Sequence, residues 1–236
     1  EEKESVKEWQ EKIIEFLEPY VELVDINIIF NYLNPTPLCL IMSKYKSYKG
    51  HENIESNWHN YTTLYYELFK DIRDKKLRIF ELGIGTNNLD MPFNSGSLFR
   101  PGASLFGWQE FFMNSDIFGA DIDSNVLFNT ERIKTFYCDQ KNEYVIDYMW
   151  KEKDLLEPFD IIIDDGYKDI KYNYLFLEKS IDKLNKEGYY IIEGIPHHQF
   201  DLWKDKILTL KLKYDCFLFN LISIPSKINT YDNNLL

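Results

Sequence analysis

No run of 18 or more apolar residues occurs in the 236-residue sequence, which excludes a membrane-spanning helix. Cysteine is scarce. Cys39, Cys138 and Cys216 are an odd number, lie far apart and form no C-x-x-C pair. A disulfide scaffold or a cysteine zinc site is therefore not expected, and a reducing compartment, the cytoplasm, fits better. The first residues, E-E-K-E-S-V-K-E-W, are charged where a signal peptide needs an apolar core. Basic runs are also missing. With 39 acidic and 27 basic residues the net charge is −12, so the surface repels phosphate backbones and anionic lipid, and nucleic acid is not an expected partner. Arginine and alanine are few, a bias of composition that carries no functional weight.

What is present is apolar and aromatic. Hydrophobic residues make up 44% and aromatic residues 17%, too many for general disorder and enough for one globular domain with a small extension. Val6, Trp9, Ile13, Phe16 and Leu17 fall on one helical face within Ser5 to Leu17, closed by Pro19. That helix packs on its own domain or serves as an arm for a homodimer. Residues 21–56 are mixed, with a loop at Asn34-Pro35-Thr36-Pro37 and a basic, Tyr-rich, irregular stretch from Lys44 to Gly50. A helix is predicted from Trp58 to Arg73.

A regular alternation follows. Strands are predicted at 77–82, 116–121, 133–138, 159–163, 189–193 and 214–222, with helices at 104–113, 124–130, 143–150, 172–184 and 198–212. Tyr231–Leu236 could begin one more strand. Short apolar strands alternating with helices predict an α/β fold, a Rossmann-like doubly wound, mostly parallel sheet. The expected division is an N-terminal helical extension and cap over 1–76 and the main domain over 77–236.

Ligands of open α/β sheets sit beyond the carboxyl ends of the strands. Acids collect there: Glu81, Asp121 with Asp123, Asp139, Asp164 with Asp165, and Glu193. Any one of them is ordinary turn chemistry; the set is a candidate site. Gly83 and Gly85 in I-F-E-L-G-I-G-T let a ligand approach backbone amides, although Asn88 stands where a dinucleotide fingerprint has its third glycine. Asp121, in F-G-A-D-I-D, is placed to accept from both hydroxyls of a ribose. Ser104 reads as a helix cap, and that helix N-terminus as a receiver for a carboxylate. The segment Asn87–Pro101 reads as a lid or as a packed insertion.

In E-L-G-I-G-T, G-A-D-I-D, F-Y-C-D-Q and F-D-I-I-I-D-D-G, taken in that order, the chain resembles the class I S-adenosylmethionine-dependent methyltransferases from Leu77 to about Ile222. The resemblance implies that Glu81, Gly83 and Gly85 surround the methionine part of the cofactor. Asp121 would hold the ribose, Asp139 face the adenine amine and Asp164 lie near the sulfonium. A narrower likeness is to the sugar O-methyltransferases of the macrocin and mycinamicin type. It rests on Asp164-Asp165-Gly166, Ile192-Glu193, Gly102-Ala103-Ser104-Leu105 with Trp108 and Phe111-Phe112, and His59, Tyr61, Thr62 and Tyr65.

That family binds a divalent metal through the second Asp of D-D-G and an acidic pair after the fifth strand, and its proposed base is a His after D-D-G. Here Asp165 and Glu193 match, whereas Gly194 replaces the third ligand and Lys168 the His. Two readings follow: Mg²⁺ held by Asp165 and Glu193 with several waters, or no metal. Candidates for the base are, in order, Asp165, His197, His198 and Lys168; Lys168 better suits an anionic group on the substrate.

The expected activity is S-adenosylmethionine-dependent O-methylation of a sugar or sugar-nucleotide, destined for a capsular or other surface polysaccharide or for a glycosylated metabolite. Tyr45, Tyr48, Trp58, Tyr61 and Tyr65 are sugar-stacking or core residues. The alternatives are an inactive cofactor-binding scaffold subunit, motivated by the lost base and metal ligand, and a nicotinamide-dependent oxidoreductase.

Overall fold

The computed structural model describes residues 26–31, 34–50, 59, 61–91, 99–224 and 234–236. The helix expected at Ser5–Leu17, and with it the homodimer arm, lies outside these residues, as do Trp58 and residues 92–98 of the 87–101 segment.

Five strands form one parallel sheet: β2 (Arg78–Leu82), β3 (Asp116–Asp121), β4 (Ile133–Tyr137), β5 (Phe159–Asp164) and β6 (Leu184–Ile192). Their order is β4-β3-β2-β5-β6, so the chain starts in the middle, winds outward and returns to the other side of β2. A switch point between β2 and β3 on one hand and β5 on the other opens a crevice at the carboxyl edge. A second sheet joins β1 (Ile26–Asn31) in parallel to β7 (Phe219–Ile224), and β7 antiparallel to the short β8 (Asn234–Leu235). Paired hydrogen bonds between Ile192 and Leu236, 2.6 and 3.0 Å, link β8 to the end of β6.

Strand alternation divides the core into two layers. Ile79, Ile117, Ile133, Ile161 and Ile163 face α1 (Pro37–Lys44), α2 (Tyr61–Phe69) and α3 (Ala103–Phe111), where Leu38, Met42, Tyr65, Phe69, Leu105 and Trp108 are buried. Phe80, Phe118 and Ile162 face α4 (Glu143–Met149) and α5 (Ile170–Ser180) across Ile146, Met149 and Phe176. Both faces are covered, which is why the strands read as continuous apolar runs. Each buried Ile or Phe contributes about 1.5–3 kcal/mol. Trp203 and Ile207 of α6 (Phe200–Leu210) pack with Ile192 and Leu218.

Three stretches differ from the sequence reading. Residues 124–130 form a single 3-10 turn, Ser124–Val126, instead of a helix. The Thr135 hydroxyl accepts from the Phe128 amide and donates to its carbonyl, and Asn129 accepts from the Thr135 amide, so the segment is zipped to β4 and cannot coil. The mixed stretch holds β1 and α1. Residues 34–36 are the expected loop and lead into α1, with Thr36 accepting from the Cys39 amide as its cap and Pro37 in its first turn. The last long strand is Phe219–Ile224, later than Tyr214.

Candidate active site

A cleft of about 380 Å³ opens at the carboxyl edge of the sheet, over the switch point. Its floor is the turn after β2. Gly83 and Gly85 both have positive φ, +85° and +83°, and a Cβ on Gly83 would collide with the Asp165 carbonyl. The G-x-G loop and the D-D-G turn thus meet backbone to backbone, which admits only glycine.

Asp121 fixes that loop. One oxygen accepts from the Ile84 amide at 2.9 Å, the other from the Asp123 amide at 3.0 Å, and the carboxylate lines the cleft. Burial pushes its pKa up. Asp123 accepts from Thr86 at 2.6 Å, tying the far side of the loop to the end of β3. Asp139 stands on the wall of the cleft next to Gln140.

Three acids come from neighbouring strands on one face of the sheet: Glu81 of β2, Asp165 after β5 and Glu193 after β6. Glu81 is buried and receives Ser104 Oγ and Trp108 Nε1, both at 2.6 Å; burial raises its pKa. Ser104 therefore anchors Glu81 and is not the cap of α3. That position is Gly102, with φ +73° and no side chain to offer.

Between these acids stands a residue that the sequence reading did not single out. Lys49, 3% exposed, places Nζ 2.6 Å from Asp165 Oδ2, 2.5 Å from Glu193 Oε2 and 3.6 Å from Glu81 Oε1. Burial alone would discharge it, but the carboxylates of Asp165, Glu193 and Glu81 hold its pKa well above the ordinary lysine value. Tyr65, read as stacking or core, donates its buried hydroxyl to Glu193 Oε1 at 2.6 Å. Lys168 reaches Asp165 Oδ1 from the other side. Against its burial, Lys168 and Lys49 keep the Asp165 carboxyl well below the usual carboxylate range.

Lys49 is positioned by local structure. The amides of Lys46 and Ser47 bond back to the carbonyls of Ser43 and Met42, and Lys46 takes φ +63°. This is a Schellman end to α1, with lysine where glycine is usual. It turns Ser47 to Lys49 into the cleft, where the Lys49 carbonyl accepts from Thr62 of α2 at 2.8 Å. Basic composition and turn chemistry were the available signals; the contact to acids 116 and 144 residues away left no trace in the sequence.

Other expectations are corrected. Asp164 does not line the cleft: it is fully buried on the opposite face, where Gln140, Asn173 and the Gly166 amide donate to it. Burial pushes its pKa up to about 7. His197 and His198 are exposed on a 3-10 turn and do not line the cleft. Among the described residues, His59 is the imidazole on the cleft wall, with its ring stacked on Tyr61 at 4.6 Å. Met91 and Phe99, from the ends of the 87–101 segment, also line the cleft, and Phe99 stacks on Tyr48.

The carboxylates assigned to a divalent metal by resemblance, Asp165 and Glu193, are brought together, but around Lys49. Gly194 supplies no third ligand, and among the described residues no group of three acids, His or Cys is arranged to hold an ion. In this arrangement the residues do not fit a divalent cation.

A search of protein-family models gave no match. The solved mycinamicin-pathway methyltransferase MycE, in complex with Mg, SAH and mycinamycin VI, superposes with a TM-score of 0.53 and 28% identity over 68% of this chain and 40% of its own. The fold is that of a class I S-adenosylmethionine-dependent methyltransferase. The chain is also 28% identical over 187 residues to a tetracenomycin-pathway rhamnosyl 3'-O-methyltransferase of Streptomyces olivaceus, covering 79% of this chain and 42% of the relative. It is 32% identical over 111 residues to the mycinamicin VI 2''-O-methyltransferase of Micromonospora griseorubida, covering 46% and 24%. The domain spans less than half the length of these relatives. No helix among its described residues is long and apolar enough to cross a membrane.

Proposed function

We propose that the chain is an S-adenosylmethionine-dependent O-methyltransferase acting on a sugar hydroxyl. The observation that carries this is the cradle at the switch point: the Gly83–Gly85 turn, braced by Asp121, facing an acid cluster across one cleft. The named relatives that support the acceptor class methylate sugars attached to polyketides and macrolides. A glycosidic sugar is thus the acceptor we favour. The finer choice of a nucleotide-linked or surface-polysaccharide sugar rests on the basic side chains Lys46, Arg100 and Lys141 at the cleft.

In this reading the amides of the glycine turn and Asp121 hold the methionine and ribose parts, and Asp139 with Gln140 borders the base. Tyr48, His59 and Tyr61 line the acceptor side. The acceptor oxygen attacks the methyl carbon in line. A C–O bond forms, the C–S bond breaks, and the sulfonium leaves as a neutral thioether. Since the donor is already activated, positioning supplies roughly 7–11 kcal/mol of the barrier reduction. The hydroxyl proton must leave as the bond forms. Asp165, clamped by two ammonium groups, is too weak a base, so it orients the acceptor and the proton passes to His59.

The test is calorimetric titration of S-adenosylhomocysteine into the protein and into Asp121→Ala. Micromolar binding that Asp121→Ala removes is expected. A wild type that does not bind overturns the reading and leaves the nicotinamide alternative. Binding without methylation of any glycoside in a broad panel would favour the inactive scaffold.

A further inference from the structure

We propose that this chain does without a divalent cation at the acceptor side of its cleft and uses the ammonium groups of Lys49 and Lys168 instead. The catalytic meaning of this rests on the methyltransferase reading above; the cation's replacement rests on geometry alone.

Two departures from the metal-binding pattern are one structural change. A Cβ on Gly194 would lie 2.5 Å from Lys168 Nζ, so the Lys168 side chain fills the space in which a side chain at 194 would begin. From there it binds Asp165 Oδ1 and, at 3.3 Å, the Glu193 carbonyl. The residue that replaces the histidine thus occupies the place of the missing ligand.

Lys49 completes the exchange. Its Nζ sits between Asp165 and Glu193, where an ion bridging the two would have to lie, and Glu81 faces it at 3.6 Å. Two lysines bring the same +2 as a divalent ion. An ion needs at least one further protein oxygen or several waters, and Lys49 leaves neither space nor charge for them. The ammonium is also built in: the Schellman turn and the Thr62 bond hold its backbone, and Tyr65 fixes the second oxygen of Glu193. Lys49 is 3% exposed, so it acts as a positioning residue, keeping Asp165 directed at the acceptor.

The test is Mn²⁺ binding followed by electron paramagnetic resonance, with no cofactor present. The wild type is expected to take up no Mn²⁺ at submillimolar concentration, and its affinity for S-adenosylhomocysteine should be the same in EDTA as in Mg²⁺. Lys49→Ser frees three carboxylates around one space and should gain a Mn²⁺ site, at least tenfold tighter than any in the wild type, that Glu193→Gln removes. A merely structural lysine would leave no such site. One Mn²⁺ bound by the wild type and lost in Asp165→Asn overturns the proposal, and so does a folded Lys49→Ser protein that binds none. Should Lys49→Ser fail to fold, the wild-type titration decides alone. Because Mn²⁺ is read without cofactor, failure to bind S-adenosylhomocysteine would sink the methyltransferase reading and leave this result standing.

Discussion

Asp164 and Asp165, adjacent in the chain, serve opposite faces of the sheet: the first is locked in the α4–α5 layer by Gln140 and Asn173, the second stands in the cleft between Lys49 and Lys168. The titration of Asp164 is therefore a stability property. Its folded pKa, about 7, lies above the ordinary aspartate value, so the folded state keeps a proton that the unfolded chain loses. The contribution is complete below about pH 4 and is lost as pH rises to about 7. Between pH 5 and 7 this amounts to roughly 2 kcal/mol. Urea denaturation at pH 5 and 8 should show this slope in the wild type and its loss in Asp164→Asn.

Tyr65→Phe deletes one oxygen and leaves Glu193 Oε1 buried without its donor. The expected cost is about 1–3 kcal/mol. Chemical denaturation at pH 7 measures it; an unchanged midpoint would mean that a water replaces the hydroxyl.

Gly83→Ala introduces a Cβ at φ +85° against the Asp165 carbonyl. Stability should fall by more than ~1 kcal/mol. The turn must also shift, so calorimetry should show affinity for S-adenosylhomocysteine reduced at least tenfold, about 1.4 kcal/mol.

Lys46 holds a left-handed conformation that costs a side-chain-bearing residue about 1–2 kcal/mol. Lys46→Gly relieves it while giving the unfolded chain more freedom, so a net gain of roughly 0.5–1 kcal/mol is expected. A lower melting temperature in thermal denaturation would show that the lysine contributes contacts that outweigh its strain.

The parallel sheet was legible because its strands are apolar on both faces and end in acids; the β2, β3, β4 and β5 positions follow the sequence reading closely. Period-two alternation also carries more than was read from it. Counting on from Ile161 and Ile163 puts Asp165 on the α1–α3 face with Glu81 and Glu193, and Asp164 with Ile162 on the other. Lys49 was not legible in the same way. Its place depends on a helix end that breaks the glycine rule at Lys46, and on partners far along the chain. The helix expected at 124–130 failed for a related reason: side-chain bonds from Thr135 and Asn129 override local periodicity.

The parallel pairing of β1 with β7 has a consequence for synthesis. Ile26–Asn31 finds its partner only when Phe219–Ile224 has emerged, about 190 residues later. At translation rates of about 5–20 residues per second, that is a wait of roughly 10–40 s. Throughout that interval β1 is an unpaired edge, open to other nascent chains. The five-stranded sheet can pair β2 to β5 early. Pairing of β1 in the second sheet is the late step, and slowing translation between β1 and β7 should raise the burden on chaperones.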